Sequence, residues 1–160
     1  MYHGNSEFDQ NKYLLIKLKG FKLILLENES YSIGRDPLSD IFLESEMISR
    51  VHANIVRIAA QDGTYYHYKL IDGRGSAIPS ANGIFVNGHR VSEKILENGD
   101  RMSFGGVIDA LFFSSNDLIE ENQLESIFND FSNQPCTSSL DQEGVSGVML
   151  GENDMTSIFF

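Results

Sequence analysis

Apolar residues in this chain come in short runs, cut at close intervals by Gly, Asn and Asp. "KYLLIKL" (12–18) and "FKLILLE" (21–27) flank Lys19-Gly20, which predicts a hairpin. "YSIG" (31–34) is a third short strand that stops at Gly34, and "DIFLE" (40–44) alternates, with apolar residues at Ile41 and Leu43. "HANIVRIA" (52–59) and "TYYHYKLID" (64–72) flank Asp62-Gly63, and "GIFVNGHRV" (83–91) carries Asn87-Gly88 between two short strands. Both dipeptides supply the positive φ that tight hairpin turns require. "ENGD" (97–100) then turns the chain into "RMSFGGVIDALFF" (101–113). About ten short strands spaced by turn residues, with no convincing helix among them, predict an all-β sandwich.

The pattern changes at Ser114. "SSNDLIEENQLESIF" opens with Ser and Asp residues suited to an N-cap and places acids in the first turns, where a helix dipole favours them. Leu124, Ile127, Phe128 and Phe131 fall at i, i+3, i+4 and i+7, one face of a helix that packs on the sandwich or receives a partner. From Ser132 the chain is rich in Ser, Asn and Gly with scattered apolar residues, the composition of a flexible tail with docking points at Val148-Met149-Leu150 and Ile158-Phe159-Phe160. The expected organisation is an N-terminal extension (1–11), a β-sandwich (12–113), an amphipathic helix (114–131) and an acidic tail (132–160).

Charge sharpens that division. Of the 160 residues, 12 are Lys or Arg and 23 are Asp or Glu, a formal net charge of −11. Every base lies at or before Arg101, whereas nine of the acids follow Phe113, so a nearly neutral body precedes a strongly acidic end. Such a balance argues against nucleic acid or an anionic membrane as the bulk partner, and leaves room for a local basic pocket. The lone cysteine, Cys136, forms no internal disulfide, which suits a reducing compartment. No basic segment followed by an apolar run opens the sequence and no apolar stretch reaches membrane-spanning length, so a cytoplasmic protein is expected.

Three turn-like segments hold the informative polar residues: "IGRDP" (33–37), "ISRVH" (48–52) and "ANG" (81–83). Loops of a sandwich gather at its ends, so these segments can meet. Together they offer the guanidiniums of Arg35 and Arg50, the hydroxyl of Ser49 and the amide of Asn82. Arg grips phosphate bidentately and Ser adds a hydrogen bond without charge, while Asn, donor and acceptor at once, suits a peptide backbone. Ser49 and His52 also have the residue types of a nucleophile and its base. A triad needs an orienting acid and oxyanion donors, no Gly-x-Ser-x-Gly elbow is present, and an arginine beside the serine suits anion retention better than acyl transfer. A non-catalytic protein is therefore expected. His3, His67 and His89 are scattered without metal-ligand spacing, and no metal or cofactor is expected.

In order and spacing, "GRDPLSDIFLESEMISRVHANI", "YKLID", "ANGIFVNGHRV" and "LENGDRMSFG" resemble the forkhead-associated domain family. The pattern is Gly-Arg, Ser-x-x-His, Asn-Gly, a Val-Asn-Gly turn and a Gly-Asp turn, and it spans roughly Lys12 to Phe113. The resemblance implies a two-sheet β-sandwich of about eleven strands that binds phosphothreonine peptides through loops at one end. Carried over by motif, Arg35 and Ser49 would bind the phosphate, Arg50 would face the ligand and Asn82 would hold the peptide main chain. Gly34, His52 and Gly83 would support the binding loops, His52 from beneath. Residues 91–96 and others in the loops would influence which side chain is accepted three positions after the phosphothreonine.

Two departures from the family pattern stand out. Ala81 replaces a frequent Ser or Thr, and "DGRGSAIPSANG" (72–83) is longer than the usual connection, so either Arg74, Ser76 or Ser80 supplies a replacement donor or the insertion reshapes the pocket. The expected function is phosphorylation-dependent protein–protein interaction, with a phosphothreonine-containing protein as partner. The alternative is an assembly scaffold that uses the same sandwich without phosphate. Thr137 and Thr156, each followed three positions later by an apolar residue, would make an internal or intermolecular ligand if phosphorylated.

Overall fold

A computed structural model of the protein describes residues 10–132. Eleven strands and one helix follow in chain order among the described residues: β1 (Asn11–Lys17), β2 (Phe21–Leu25), β3 (Ser30–Gly34), β4 (Ile41–Phe42), β5 (Ala53–Ala59), β6 (Tyr66–Asp72), β7 (Ile84–Val86), β8 (His89–Val91), β9 (Glu93–Ile95), β10 (Arg101–Phe104), β11 (Ile108–Ser115) and α1 (Leu124–Ser132). They form two sheets, one ordered β2-β1-β11-β10-β7-β8 and the other β4-β3-β5-β6-β9. The expected all-β, two-sheet sandwich is the observed fold.

The turn dipeptides act as the sequence implies. β1 and β2 pair antiparallel across Leu18–Gly20, and β5 and β6 across the loop that holds Asp62-Gly63. Val86 pairs with His89 across Asn87 and Gly88, whose φ values of 52° and 85° are the left-handed pair that a two-residue hairpin needs. Alternation then fills the space between the sheets: Leu14, Ile16, Ile33, Ile55, Leu70, Ile84 and Phe104 are completely buried there. Leu15 and Leu111 are equally hidden, and Phe113 nearly so, but they point from the other face of β1 and β11, which explains why "YLLI" does not alternate. Leu124 and Phe128 of α1 are the matching buried residues, and Phe128 meets Phe21 in a tilted ring contact with centroids 5.4 Å apart. Leu124 and Phe128 of the expected apolar face therefore pack on the sandwich.

Three details differ from the sequence reading. β4 pairs with β3 in parallel after only a short return loop, and reciprocal bonds close that loop: Asp40 Oδ2 accepts the Ser32 amide at 2.8 Å and Ser32 Oγ accepts the Asp40 amide at 2.9 Å. β9 follows β8 after the single residue Ser92 yet belongs to the opposite sheet, where it pairs with β6. The α-helix begins later than the Ser and Asp residues at 114–117: β11 runs on to Ser115, and a single 3-10 turn (Glu121–Gln123) leads into α1, with the Glu120 amide held by Gln123 Oε1 at 2.8 Å. The acidic tail, Cys136, Thr137, Thr156 and the expected apolar docking points lie outside the described residues, as does His3.

Candidate functional site

The connections after β3, β4, β6 and β10 converge at one end of the sandwich, and backbone hydrogen bonds tie them together. The chain leaving β3 crosses the segment leading into β5 so closely that a Cβ on Gly34 would stand 2.0 Å from the Arg50 carbonyl oxygen. Only glycine fits there. The approach lets the Arg35 amide donate to the Ser49 carbonyl at 3.0 Å and the Asp36 amide to the Arg50 carbonyl at 3.3 Å. It also lets Arg35 Nε donate to the Ile48 carbonyl at 2.9 Å, which fixes the guanidinium while its two terminal nitrogens have no partner among the described residues. A fork held by its stem is preorganised for a bidentate anion.

His52 is completely buried beneath this crossing. The Ser49 amide donates to its Nδ1 at 2.9 Å, so the ring proton is on Nε2, which donates to the Gly83 carbonyl at 2.8 Å. One imidazole thus binds the Ser49 loop to the Asn82-Gly83 loop. Burial pushes its pKa below the ordinary histidine value, against smaller upward pulls from the Gly83 carbonyl and Asp72. The Ser49 hydroxyl is engaged elsewhere: its Oγ accepts the Ala81 amide at 3.0 Å. Ser49 and His52 are not paired as nucleophile and base, and the hydroxyl proton of Ser49 remains available to an acceptor outside the protein.

The long connection 73–83 is built around a buried carboxylate. Asp72 accepts both the hydroxyl and the amide of Ser80, and Ser80 Oγ in turn accepts the Gly83 amide at 3.0 Å. Ser80 is only 4% exposed, so it supplies no replacement donor for the one absent at Ala81; its hydroxyl serves the loop instead. Arg74 and Ser76 are exposed on the same connection, whose first turn closes through bonds from the Arg74 amide to Ile78 and from the Ile78 amide to Gly75. Gly73, with φ 58°, passes so near this turn that a Cβ would fall 2.2 Å from the Ile78 carbonyl.

Asn82 stands beside Ser49 through Ala81, and its Nδ2 donates to the Met47 carbonyl at 2.9 Å, so the side chain also spans two loops. Gly83 adopts φ 82°, and its carbonyl accepts the Gly105 amide as well as the imidazole. Sequence reasoning gave no role to Gly105 (φ 64°), where a Cβ would lie 2.7 Å from the Met47 carbonyl. Arg35, Ser49, Asn82, Gly34, His52 and Gly83 are thereby brought into one bonded network, and exposed Arg50 is drawn into it by its carbonyl. Among the described residues, neither Arg35 nor Arg50 has a carboxylate partner, and no cluster of His, Cys, Asp or Glu is placed to hold a metal ion. The anchored guanidinium of Arg35, with Arg50 exposed on the loop that carries Ser49, makes this end of the sandwich chemically suited to a multiply charged oxyanion.

Comparisons with known proteins identify the fold and the family. The family model for the FHA, or forkhead-associated, domain matches residues 31–105. The crystal structure of the Slr1951 protein from Synechocystis is 34% identical, with a TM-score of 0.57 over 64% of this chain and 96% of that one. EmbR of Mycobacterium tuberculosis, solved in complex with a low-affinity phosphopeptide, is 28% identical, with a TM-score of 0.55 over 69% of this chain and 26% of that one. An oxoglutarate dehydrogenase inhibitor from Corynebacterium jeikeium is 36% identical over 81 residues, covering 51% of this chain and 49% of the relative. The chain spans about half or less of the length of the curated relatives it matches. Among the described residues, no helix is long and apolar enough to cross a membrane.

Proposed function

The chain belongs to the forkhead-associated family, and on that premise we propose that it binds phosphothreonine-containing segments of partner proteins without catalysing a reaction. Arg35 and Ser49 bind the phosphate, Arg50 adds charge at the rim, and Asn82 aligns the main chain of the ligand. The observation that carries this reading is the state of Arg35. Its Nε is anchored on the Ile48 carbonyl, its terminal nitrogens are unpartnered among the described residues, and Ser49, whose carbonyl accepts the Arg35 amide, has its hydroxyl held by the Ala81 amide.

A phosphothreonine carries nearly two negative charges and three acceptor oxygens, which matches two guanidiniums and one hydroxyl. Charge-assisted hydrogen bonds contribute on the order of 1.5–3 kcal/mol each, so two or three of them over a small peptide contact give affinities of about micromolar strength. Asn82 binds a peptide through its side-chain carbonyl while its nitrogen stays on Met47, or exchanges that bond for one to the ligand. The interaction belongs to signalling between soluble proteins, where addition or removal of the phosphate controls association.

The experiment is a degenerate phosphothreonine peptide library and its unphosphorylated counterpart, both screened against the full chain. Selection from the phosphorylated library alone supports the proposal. Equal retention from both libraries would replace it with a phosphate-independent scaffold.

A further inference from the structure

Arg90 was given no role by the sequence, yet its position is unusual. It lies on β8, the outer strand of its sheet, opposite Phe85 of β7. Its side chain reaches diagonally to the start of β7, where a Cβ on Gly83 would sit 2.6 Å from Nε and 2.8 Å from Cζ. The missing side chain of Gly83 is therefore the seat of the Arg90 guanidinium. That seat is the residue next to Asn82. Arg90 is exposed, and among the described residues its guanidinium has no carboxylate or hydrogen-bond partner.

We propose that Arg90 is a specificity-determining residue that binds an acidic side chain, Asp, Glu or a second phosphorylated residue, near the phosphothreonine of the ligand. The inference rests on the phosphothreonine reading of the site and extends it to the flanking sequence. Asn82 holds the ligand backbone, so ligand residues adjoining that contact pass over Gly83, and Gly83 presents a guanidinium where any other residue would present its own side chain. The planar fork suits a carboxylate or phosphate, and a position at the water-exposed rim makes it discriminate between ligands without dominating affinity. Gly83 thus has two uses: its positive φ shapes the turn, and its open face admits Arg90.

The test is fluorescence titration of the full chain with an alanine-flanked phosphothreonine peptide and a series in which one Glu is moved through the flanking positions. At one position or more, Glu should tighten binding by about three- to fivefold. Arg90→Gln should remove that gain while weakening the alanine-flanked peptide by less than about twofold, and Arg90→Lys should restore part of it. A gain that survives in Arg90→Gln, or no gain at any position, would overturn the assignment while leaving the phosphate site standing. Failure of every phosphorylated peptide to bind would remove the phosphothreonine reading and this inference with it. A doubly phosphorylated peptide distinguishes phosphate from carboxylate as the preferred group.

Discussion

The backbone amide of Ser49 donates to Nδ1 of His52 at 2.9 Å, while the Ser49 hydroxyl accepts the Ala81 amide at 3.0 Å. Two residues that look like a catalytic pair are therefore coupled through the main chain. The hydroxyl keeps its proton for a ligand, and the imidazole carries the coupling on to Gly83. Binding and loop order are separable at this point, and substitutions on either side of it should have different consequences.

Arg35→Ala removes the guanidinium and its bond to Ile48. It should weaken phosphopeptide binding by about ten- to a hundredfold, the worth of one charge-assisted hydrogen bond, with little change in the urea unfolding midpoint because the side chain is exposed. Arg35→Lys should recover only part of the loss, since an ammonium cannot make the bidentate contact. Calorimetric titration beside urea denaturation checks both. A folded Arg35→Ala protein that binds as tightly as the wild type would remove Arg35 from the site.

Gly34→Ala should act through the fold. The added Cβ would meet the Arg50 carbonyl at 2.0 Å, a backbone atom that cannot swing away, so the β3 exit and the Ser49 loop must part. A stability loss of about 1–3 kcal/mol is expected, together with weakened binding. Thermal unfolding at the wild-type midpoint would show that the close crossing does not govern stability.

Ser80→Ala separates the loop from the ligand. Ser80 links Asp72 to the Gly83 amide inside the protein, and its removal leaves a buried carboxylate short of a donor. Stability should fall by roughly 1–3 kcal/mol, while the affinity of the protein that remains folded changes little. A large affinity loss at unchanged stability would place Ser80 in contact with ligand.

His52 predicts a pH dependence. Its folded pKa lies below the ordinary value near 6.5, so the unfolded chain binds the extra proton first as pH falls. Its contribution to stability is then fully present above about pH 6.5 and is lost progressively below it, down to the folded value. Urea midpoints of the wild type between pH 7.5 and 5.5 should fall more steeply than those of His52→Gln. Parallel curves would show that this histidine does not bear the linkage.

The hairpins at Asp62-Gly63 and Asn87-Gly88 were readable because dipeptides that tolerate positive φ stood between apolar runs. The Gly34, Arg35, Ser49, His52 and Asn82 set was readable from its order along the chain. β9 was not, because "EKI" is a short, largely exposed segment whose pairing with β6 depends on the chain changing sheets at Ser92. β4 is legible as apolar alternation, but its parallel pairing rests on the Ser32–Asp40 bonds, which spacing does not reveal. The seat of Arg90 on Gly83 was hidden too, since a diagonal contact across a strand pair follows from register and not from local pattern.

The central claim is that phosphate is the recognised group. Isothermal titration of the full chain with three versions of one peptide, bearing threonine, phosphothreonine or phosphoserine at the same position, tests it most directly. The account predicts about micromolar binding of the phosphothreonine peptide, weaker binding of phosphoserine and none of the unmodified peptide, with affinity reduced about ten- to a hundredfold in Arg35→Ala. Equal affinity for the phosphorylated and unmodified threonine peptides would contradict it.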